Sequence, residues 1–279
     1  MLRLSIITIN RNDAKGLEHT LRSVWAKQTF EDFEHLIIDG ASDDGSVDII
    51  RKYESKLAYW VSEPDKGVYN AMNKGIIKAR GEYLLFLNSG DWLEDDILQQ
   101  VFKGETSEDI LYANLYYNYS MEKIAIESYP EKLTVPYLLT SSLGHPSTFI
   151  RRALFDKSLY EEKYRIISDW VFFVRKIMLE GCTTRHLDLV TTHFNTYGMS
   201  SAPENLDLIL REKKDFFDNG FPHLISDFFQ EYSIKDKTLN TISKNRVQRL
   251  IGSTWVQRRV RQYMKILFVL EKCFGKSSC

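Results

Sequence analysis

Three acid-bearing segments punctuate the first third of the chain: Asp39 with Asp43 and Asp44, then Glu63 and Asp65, then Asn88-Ser89-Gly90-Asp91. Each follows a short apolar run. Carboxylates in such places suit a nucleobase, a ribose hydroxyl, or a divalent cation that in turn holds phosphates. A bare phosphate would instead favour glycine loops and helix N-termini. The first apolar run turns through Asn10-Arg11-Asn12-Asp13 with no glycine before Gly16. That speaks against a dinucleotide fingerprint, a P-loop, or the glycine-rich opening of a sugar nucleotidylyltransferase. Other readings stand beside these. Asp44 or Ser42 can cap the next helix from a solvated turn, and Asp91 can cap a helix after Trp92. Asp39 is harder to explain away, because a carboxylate ending a buried strand is costly without a role.

Elements must bring these acids together, and the pattern supplies them. Leu4–Ile9 is a β-branched run of the kind expected for a buried parallel strand. Helical spacing follows from Asp13 to Lys27, with Leu17, Leu21 and Val24 on one face. His35–Asp39 predicts a second strand, Ser46 to Lys56 a helix, and Tyr59-Trp60-Val61 a third strand. A helix from Tyr69 to Ala79 and a fourth strand, Tyr83–Leu87, complete the alternation. Strand and helix alternating through short connections predict an open, mostly parallel, Rossmann-like α/β sheet. Ligands of such sheets bind beyond the carboxyl ends of the strands, where all three acidic segments lie. Past residue 105 the pattern loosens. Strands are expected at Asp109–Tyr117, Thr148–Ile150 and Thr183–Thr192, and a helix over Ser168–Leu179. From Pro203 the chain reads as helical. The expected organisation is two halves of one domain, 1–105 and 106–203, and a helical extension over 204–279.

The 279 residues are 43% hydrophobic and 27% charged, ordinary values for a globular chain. A net charge of −1 conceals a strong asymmetry. From residue 240 onward nine Lys/Arg, from Lys244 to Lys276, face a single acid, Glu271. Arg258, Arg259, Arg261 and Lys265 lie among Trp255, Val260, Met264 and Leu267, which suits an interfacial helix on anionic lipid. A solvated helix packed on the body is the plainer alternative. No base-reading motif accompanies the charge, so nucleic acid is not expected as a partner. Three cysteines without metal spacing read as free thiols. No signal peptide or bilayer-length apolar run is evident. The expected location is cytoplasmic, peripheral at the inner face of the plasma membrane.

Four segments in order, Ser5–Asn12, Ile38–Ser46, Ser62–Gly75 and Gly81–Asp91, resemble the family-2 glycosyltransferases of the GT-A fold, in particular the bacterial enzymes of surface-polysaccharide assembly. The resemblance is firm to about residue 92, thinner to about 200 and absent beyond. It implies that Thr8, Asn10 and Arg11 border the base, that Asp39 and Asp43 contact base and ribose, and that Asp65 meets the uracil or ribose while Gly67 leaves the ligand room. It places Asn88-Ser89-Gly90-Asp91 at the family's Asp-x-Asp metal motif. Here only Asp91 is acidic where the family often has acids at the positions of Asn88 and Gly90. One carboxylate can hold Mn²⁺ or Mg²⁺ if the diphosphate supplies further oxygens.

Ser168-Asp169-Trp170, followed by Arg175, resembles the segment whose acid is the catalytic base, so Asp169 is the candidate base; the alternative is a helix cap. By the same resemblance His145 lines the acceptor side or is a structural histidine, and Trp170 flanks the acceptor sugar or belongs to the core. Tyr197 lies in a lid, and His193 is a second candidate metal ligand. The activity implied is inverting, metal-dependent transfer of a hexose or N-acetylhexosamine from a nucleotide-sugar donor, with UDP expected, to a polyprenyl-diphosphate-linked glycan acceptor. Two rivals stand: a catalytically silent nucleotide-sugar-binding subunit, suggested by the thinned metal motif, and a sugar nucleotidylyltransferase.

Overall fold

The apolar run at the start of the chain becomes β1 (Leu4–Asn10), every residue of which is buried. It pairs in parallel with β2 (Phe33–Asp39) on one side and β4 (Tyr83–Phe86) on the other. Because successive side chains alternate faces, the run must be apolar throughout. Ile7 and Ile9 enter a core with Leu36, Met72 and Phe86. Leu4 and Ile6 enter another with Leu85, Leu98 and Phe149. The computed structural model describes residues 2–120, 123–196, 198 and 203–220.

Helix α1 (Ala14–Trp25) begins where the Asp13 side chain accepts from the Gly16 N–H at 3.0 Å. Its Leu17 and Leu21 cover Ile37 and Ile50. Helix α2 (Ser46–Tyr53) starts under Asp44, whose carboxylate accepts from Ser46 N at 3.0 Å and from Ala14 N at 2.8 Å. Asp44 thus caps two helix starts at once, as the turn reading anticipated. Strand β3 (Tyr59–Ser62) pairs with β2 in parallel, and α3 (Val68–Lys78) leads back to β4. The strand order β3-β2-β1-β4 reverses direction between β1 and β4. A crevice opens at such a switch point, beyond the strands' carboxyl ends.

The second half extends the sheet with mixed pairing. After β5 (Trp92–Leu93) and α4 (Ile97–Val101) come β6 (Ile110–Ser120), β7 (Lys123–Glu127), α5 (Val135–Thr140), β8 (Thr148–Arg151), α6 (Ser168–Phe173) and β9 (Thr184–Asn195). Helix α6 continues to Leu179 as a wider helical turn. Strand β8 lies antiparallel between β4 and β6, and β6 runs parallel to β9. The two residues of β5 pair antiparallel to the end of β9, Trp92 opposite His193. A helix does follow Trp92, as α4, but it starts only at Ile97 with Asp96 before it, so Asp91 does not cap it. Strands β5 and β7, helix α5 and the bounds of α4 were not expected. They span two to six residues, too few to show a period.

Residues Met1–Gly220 form one compact unit, which includes α7 (Leu206–Gly220) from the expected extension. Phe216 and Phe217 meet the Trp170 ring edge-on at 5.4 and 5.6 Å. Glu212 accepts from the backbone N–H groups of Arg165, Ile166 and Ile167 at 2.7, 3.1 and 3.3 Å. The basic stretch from residue 240 lies outside the described residues. No helix among the described residues is long and apolar enough to cross a membrane.

Two stability predictions follow from buried groups. Replacing Glu212 by Ala leaves three enclosed N–H groups unanswered, a loss of about 3 kcal/mol in urea unfolding. His35 is fully buried. Its Nε2 donates to Thr8 Oγ1 at 2.8 Å, since the Thr8 hydroxyl hydrogen goes to Leu87 O, and its Nδ1 has no partner. Burial pulls the ring down to about 3. The unfolded ring takes its proton near its ordinary value of 6.5, so stability is full above that pH and is lost as pH falls toward about 3. The urea midpoint should fall between pH 7 and pH 4 (about three units), and His35→Gln should flatten that slope.

Candidate active site

Two adjoining depressions of about 770 and 520 Å³ open at the switch point. They share Arg11, Val68, Tyr69, Asn88, Ser89 and Arg165. The smaller is walled by Ile9, Asn10, Asp65, Gly67 and Asn70. The larger takes Asp13 and Asp91 from the β1 and β4 loops, Glu127 from β7, and His145 and Asp169 from the later half. A cleft of this size, mixing apolar walls with a few converging polar groups, suits a nucleotide and its substituent.

Asp39 underlies the smaller depression without opening into it. Its carboxylate is fully buried and receives Asn10 Nδ2 at 2.7 Å, Ser42 Oγ at 2.6 Å, Ser42 N at 2.9 Å and Ser62 Oγ at 2.6 Å. Burial alone would push this carboxyl up, but the Ser42, Ser62 and Asn10 donors together hold it below its ordinary value. With these four donors Asp39 braces the strand ends, and it lines neither depression. Thr8 is likewise interior, bonded to His35 and Leu87. Asp43 is exposed and lines neither depression. None of the three opens into either depression, Thr8 and Asp39 because their polar atoms are bonded within the fold and Asp43 because it stands exposed outside both.

Asn10, Arg11, Asp65, Gly67 and Asn88 do line the cleft. The Asn10 amide nitrogen is committed to Asp39, while its Oδ1 has no partner. Asp65 accepts from Gly67 N at 2.9 Å. Its other oxygen lies over Gly40, where a Cβ would come within 2.5 Å. Only glycine lets this carboxylate approach the end of β2.

Asp91 is 3% exposed and accepts from Asn195 N at 2.8 Å. Burial, reinforced by the negative charge of Asp13, pushes its carboxyl up to about 8. Nearby Asn88 Oδ1 is enclosed and without a partner. Gly90 adopts φ +88°, and a Cβ there would meet Asn195 Nδ2 at 2.8 Å and Asp13 Oδ2 at 3.2 Å. That explains the glycine where the motif otherwise carries an acid. An enclosed carboxylate, a neighbouring acid and an unanswered amide oxygen form a donor set that fits a hard divalent cation. No group of three or more His, Cys, Asp or Glu among the described residues is arranged to hold a metal alone, so a cation here would need oxygens from a bound ligand.

Asp169 lies in the first turn of α6 without capping it and lines the larger depression. Its Oδ1 accepts from the Tyr69 hydroxyl at 2.7 Å. Its Oδ2 lies 3.8 Å from His145 Nδ1, beyond hydrogen-bond range. Burial lowers the His145 pKa against the opposing pull of Asp169, and its Nε2 is bonded to the Tyr160 hydroxyl at 2.9 Å. His145 is therefore a neutral wall of the cleft.

Two expected residues are placed elsewhere. Trp170 is core: its Nε1 donates to Leu138 O at 2.7 Å, and Lys213 Nζ lies 4.5 Å from its ring. One position along a helix turns a side chain about 100°, so Asp169 faces the cleft and Trp170 the interior. His193 is stacked between Trp92 and Tyr116 at 4.5 and 4.6 Å, with its ring nitrogens toward Glu94 and Asn118. It lines neither depression and is not positioned as a metal ligand. Tyr197 lies outside the described residues. Sequence reading passed over Asp13, Tyr69 and Arg165, because a helix cap, a helix aromatic and a surface arginine carry no mark of a partner distant in sequence.

Comparison with known proteins agrees with this geometry. Residues 5–159 match the family described as Glycosyl transferase family 2. The PGL/p-HBAD biosynthesis glycosyltransferase of Mycobacterium bovis is 33% identical over 202 residues, spanning 70% of this chain and 77% of that protein. Among solved structures, Staphylococcus aureus TarS 1–349 in complex with UDP-GlcNAc superposes with a TM-score of 0.64 at 21% identity, covering 88% of this chain and 76% of that one. The mannosyltransferase PcManGT of Pyrobaculum calidifontis, in complex with GDP-Man and Mn²⁺, gives a TM-score of 0.58 at 13% identity, with 99% and 88% covered. A parallel sheet with its ligand crevice at the β1/β4 switch, extended by mixed strands, is the GT-A architecture these structures share. The chain belongs to glycosyltransferase family 2.

Proposed function

We propose that the chain transfers a hexose or N-acetylhexosamine from a UDP-sugar to a lipid-linked glycan acceptor, with inversion, in surface-polysaccharide assembly. The observation that carries this reading is that Asp169 and Asp91 line one cleft in contrasting environments. Asp91 is enclosed, whereas the Asp169 side chain keeps 21% of its surface open. An open carboxylate suits a general base, and an enclosed one suits a cation site. The nucleoside occupies the smaller depression beside Asn10 and Asp65, and its diphosphate lies between Arg11, Arg165 and Asp91. Bound at Asp91, a divalent cation supplies charge neutralisation to the departing diphosphate. Asp169 takes the proton of the acceptor hydroxyl as that oxygen attacks the anomeric carbon. One displacement inverts the centre.

The UDP-GlcNAc bound by TarS and the Mn²⁺ held with GDP-Man by PcManGT support a nucleotide-sugar and a divalent metal. The relative acting in PGL/p-HBAD biosynthesis supports a biosynthetic role. The basic residues from Lys244 to Lys276 suit an anionic membrane surface, where a lipid-linked acceptor would be met.

Calorimetric titration with UDP-, GDP-, dTDP- and CMP-sugars, with and without Mn²⁺, should find one UDP-sugar bound about tenfold more tightly with metal, whose positive charge offsets the negative charge of the diphosphate oxygens. No binding of any nucleotide sugar would remove the donor-site assignment. Asp169→Asn should keep donor binding while turnover falls at least about a hundredfold. Donor binding with no turnover by the wild-type chain would instead favour a silent binding subunit.

Asp91→Asn separates function from stability. The folded carboxyl, raised to about 8, binds a proton that the unfolded one has lost, so the wild type loses stability as pH rises from its ordinary value of 3.8 through about 8. The Asn variant should lose the Mn²⁺ effect on donor binding, yet melt higher than wild type at pH 8 without ligand. A lower Tm would contradict the burial argument.

A further inference from the structure

Tyr69, the second residue of α3, is 5% exposed and belongs by sequence to an ordinary helix face. Its ring packs 5.5 Å from the Tyr160 ring. Its hydroxyl leaves the apolar layer and reaches Ile166 O at 2.6 Å and Asp169 Oδ1 at 2.7 Å, a partner 100 positions away. Ile166 belongs to the stretch leading into α6, whose N–H groups at 165, 166 and 167 are gripped by Glu212, and Asp169 lies in the first turn of that helix. A phenol carries a single proton, and a carboxylate is the stronger of two competing acceptors. The ring, packed against Tyr160, fixes where the hydroxyl lies. The hydroxyl in turn fixes the carboxylate.

We propose that Tyr69 is a positioning residue that occupies Oδ1 of Asp169 and so assigns Oδ2 as the oxygen that receives the acceptor proton. This rests on Asp169 being the base, as proposed above. Oδ2 is the oxygen nearer the neutral His145, at 3.8 Å, and has no hydrogen bond there. As the acceptor oxygen bonds to the anomeric carbon, its proton passes to Oδ2. The bond from that carbon to the diphosphate oxygen breaks, and the electron pair leaves with the nucleoside diphosphate. Tyr69 keeps its own proton throughout. Burial and the Asp169 charge hold the phenol well above its ordinary value, so it is a tether and not a proton source. Misplacing a reacting group by about an ångström costs on the order of a hundredfold in rate. A free Asp169 carboxylate, able to turn about its own side-chain bonds, would suffer that loss.

The test is a double-mutant cycle on the full chain. UDP release is measured with whichever of UDP-Glc, UDP-Gal, UDP-GlcNAc and UDP-GalNAc the wild type turns over fastest. Tyr69→Phe keeps the ring and removes only the hydroxyl. It should lower kcat about ten- to a hundredfold, with UDP affinity by calorimetry within about twofold of wild type. Added to Asp169→Asn, the same change should cost nothing further, because a tether has no effect once its base is gone. Replacing Tyr69 with 4-aminophenylalanine, which restores a donor at the same place, should return most of the lost kcat. It also carries the test if the Phe variant does not fold, and loss of kcat despite that donor overturns the proposal. Equal fold losses in both backgrounds, or an unchanged kcat in Tyr69→Phe, also overturn it. Near-normal UDP release by Asp169→Asn alone removes the base assignment itself. An inactive Asp169→Asn beside a fully active Tyr69→Phe removes only the tether.

Discussion

A single buried carboxylate underlies the donor end of the cleft. Asp39 ends β2 with four hydrogen bonds, from Asn10 of β1, from both donors of Ser42, and from Ser62 of β3. Three neighbouring parallel strands are thereby tied at their carboxyl ends. Loops leaving such a sheet would otherwise be free to splay. A charge buried this deeply persists only when fully answered by donors. The same demand turns the Asn10 amide so that its oxygen is left without a protein partner. It also sets the frame on which Asp65 lies over Gly40. The acid that looks most like a ligand in sequence is the one that makes ligand binding by its neighbours possible.

The three central carboxylates divide labour by environment and not by residue type. Asp39 is saturated by donors and held below its ordinary value. Asp91 is enclosed with fewer donors and Asp13 nearby, and is pushed up to about 8. Asp169 receives Tyr69 on one oxygen and leaves the other toward the cleft. Saturated, enclosed and half-open are three environments that differ in how many donors surround the same functional group.

The half of the domain that carries Asp169 also depends on a helix from late in the chain. Glu212 of α7 answers the N–H groups that precede α6, and Phe216 and Phe217 press on Trp170, the neighbour of Asp169. Asp169 is thus held from two directions, by α3 through Tyr69 and by α7 through the backbone of its own segment. Such support of a reacting group by packed, hydrogen-bonded neighbours is what keeps a site in productive geometry.

The amino-acid sequence by itself determined the sheet from β1 to β4, the placement of acids at its strand ends and the family. Apolar runs, helix caps and short connections are local signals, and a parallel sheet expresses them directly. It also marked Asp169 and Asp91 as candidates. Only the tertiary structure decided which candidates face the cleft. Thr8 and Asp39 are held inside by partners as far as 79 positions away, whereas Asn10 and Asp65 reach the cleft. Trp170 is core because α7 covers it, and His193 is stacked because β5 pairs with β9. The Tyr69–Asp169 bond spans 100 positions. A hydrogen bond depends on ångström-scale distance and direction between groups, and a linear sequence states residue types without stating either.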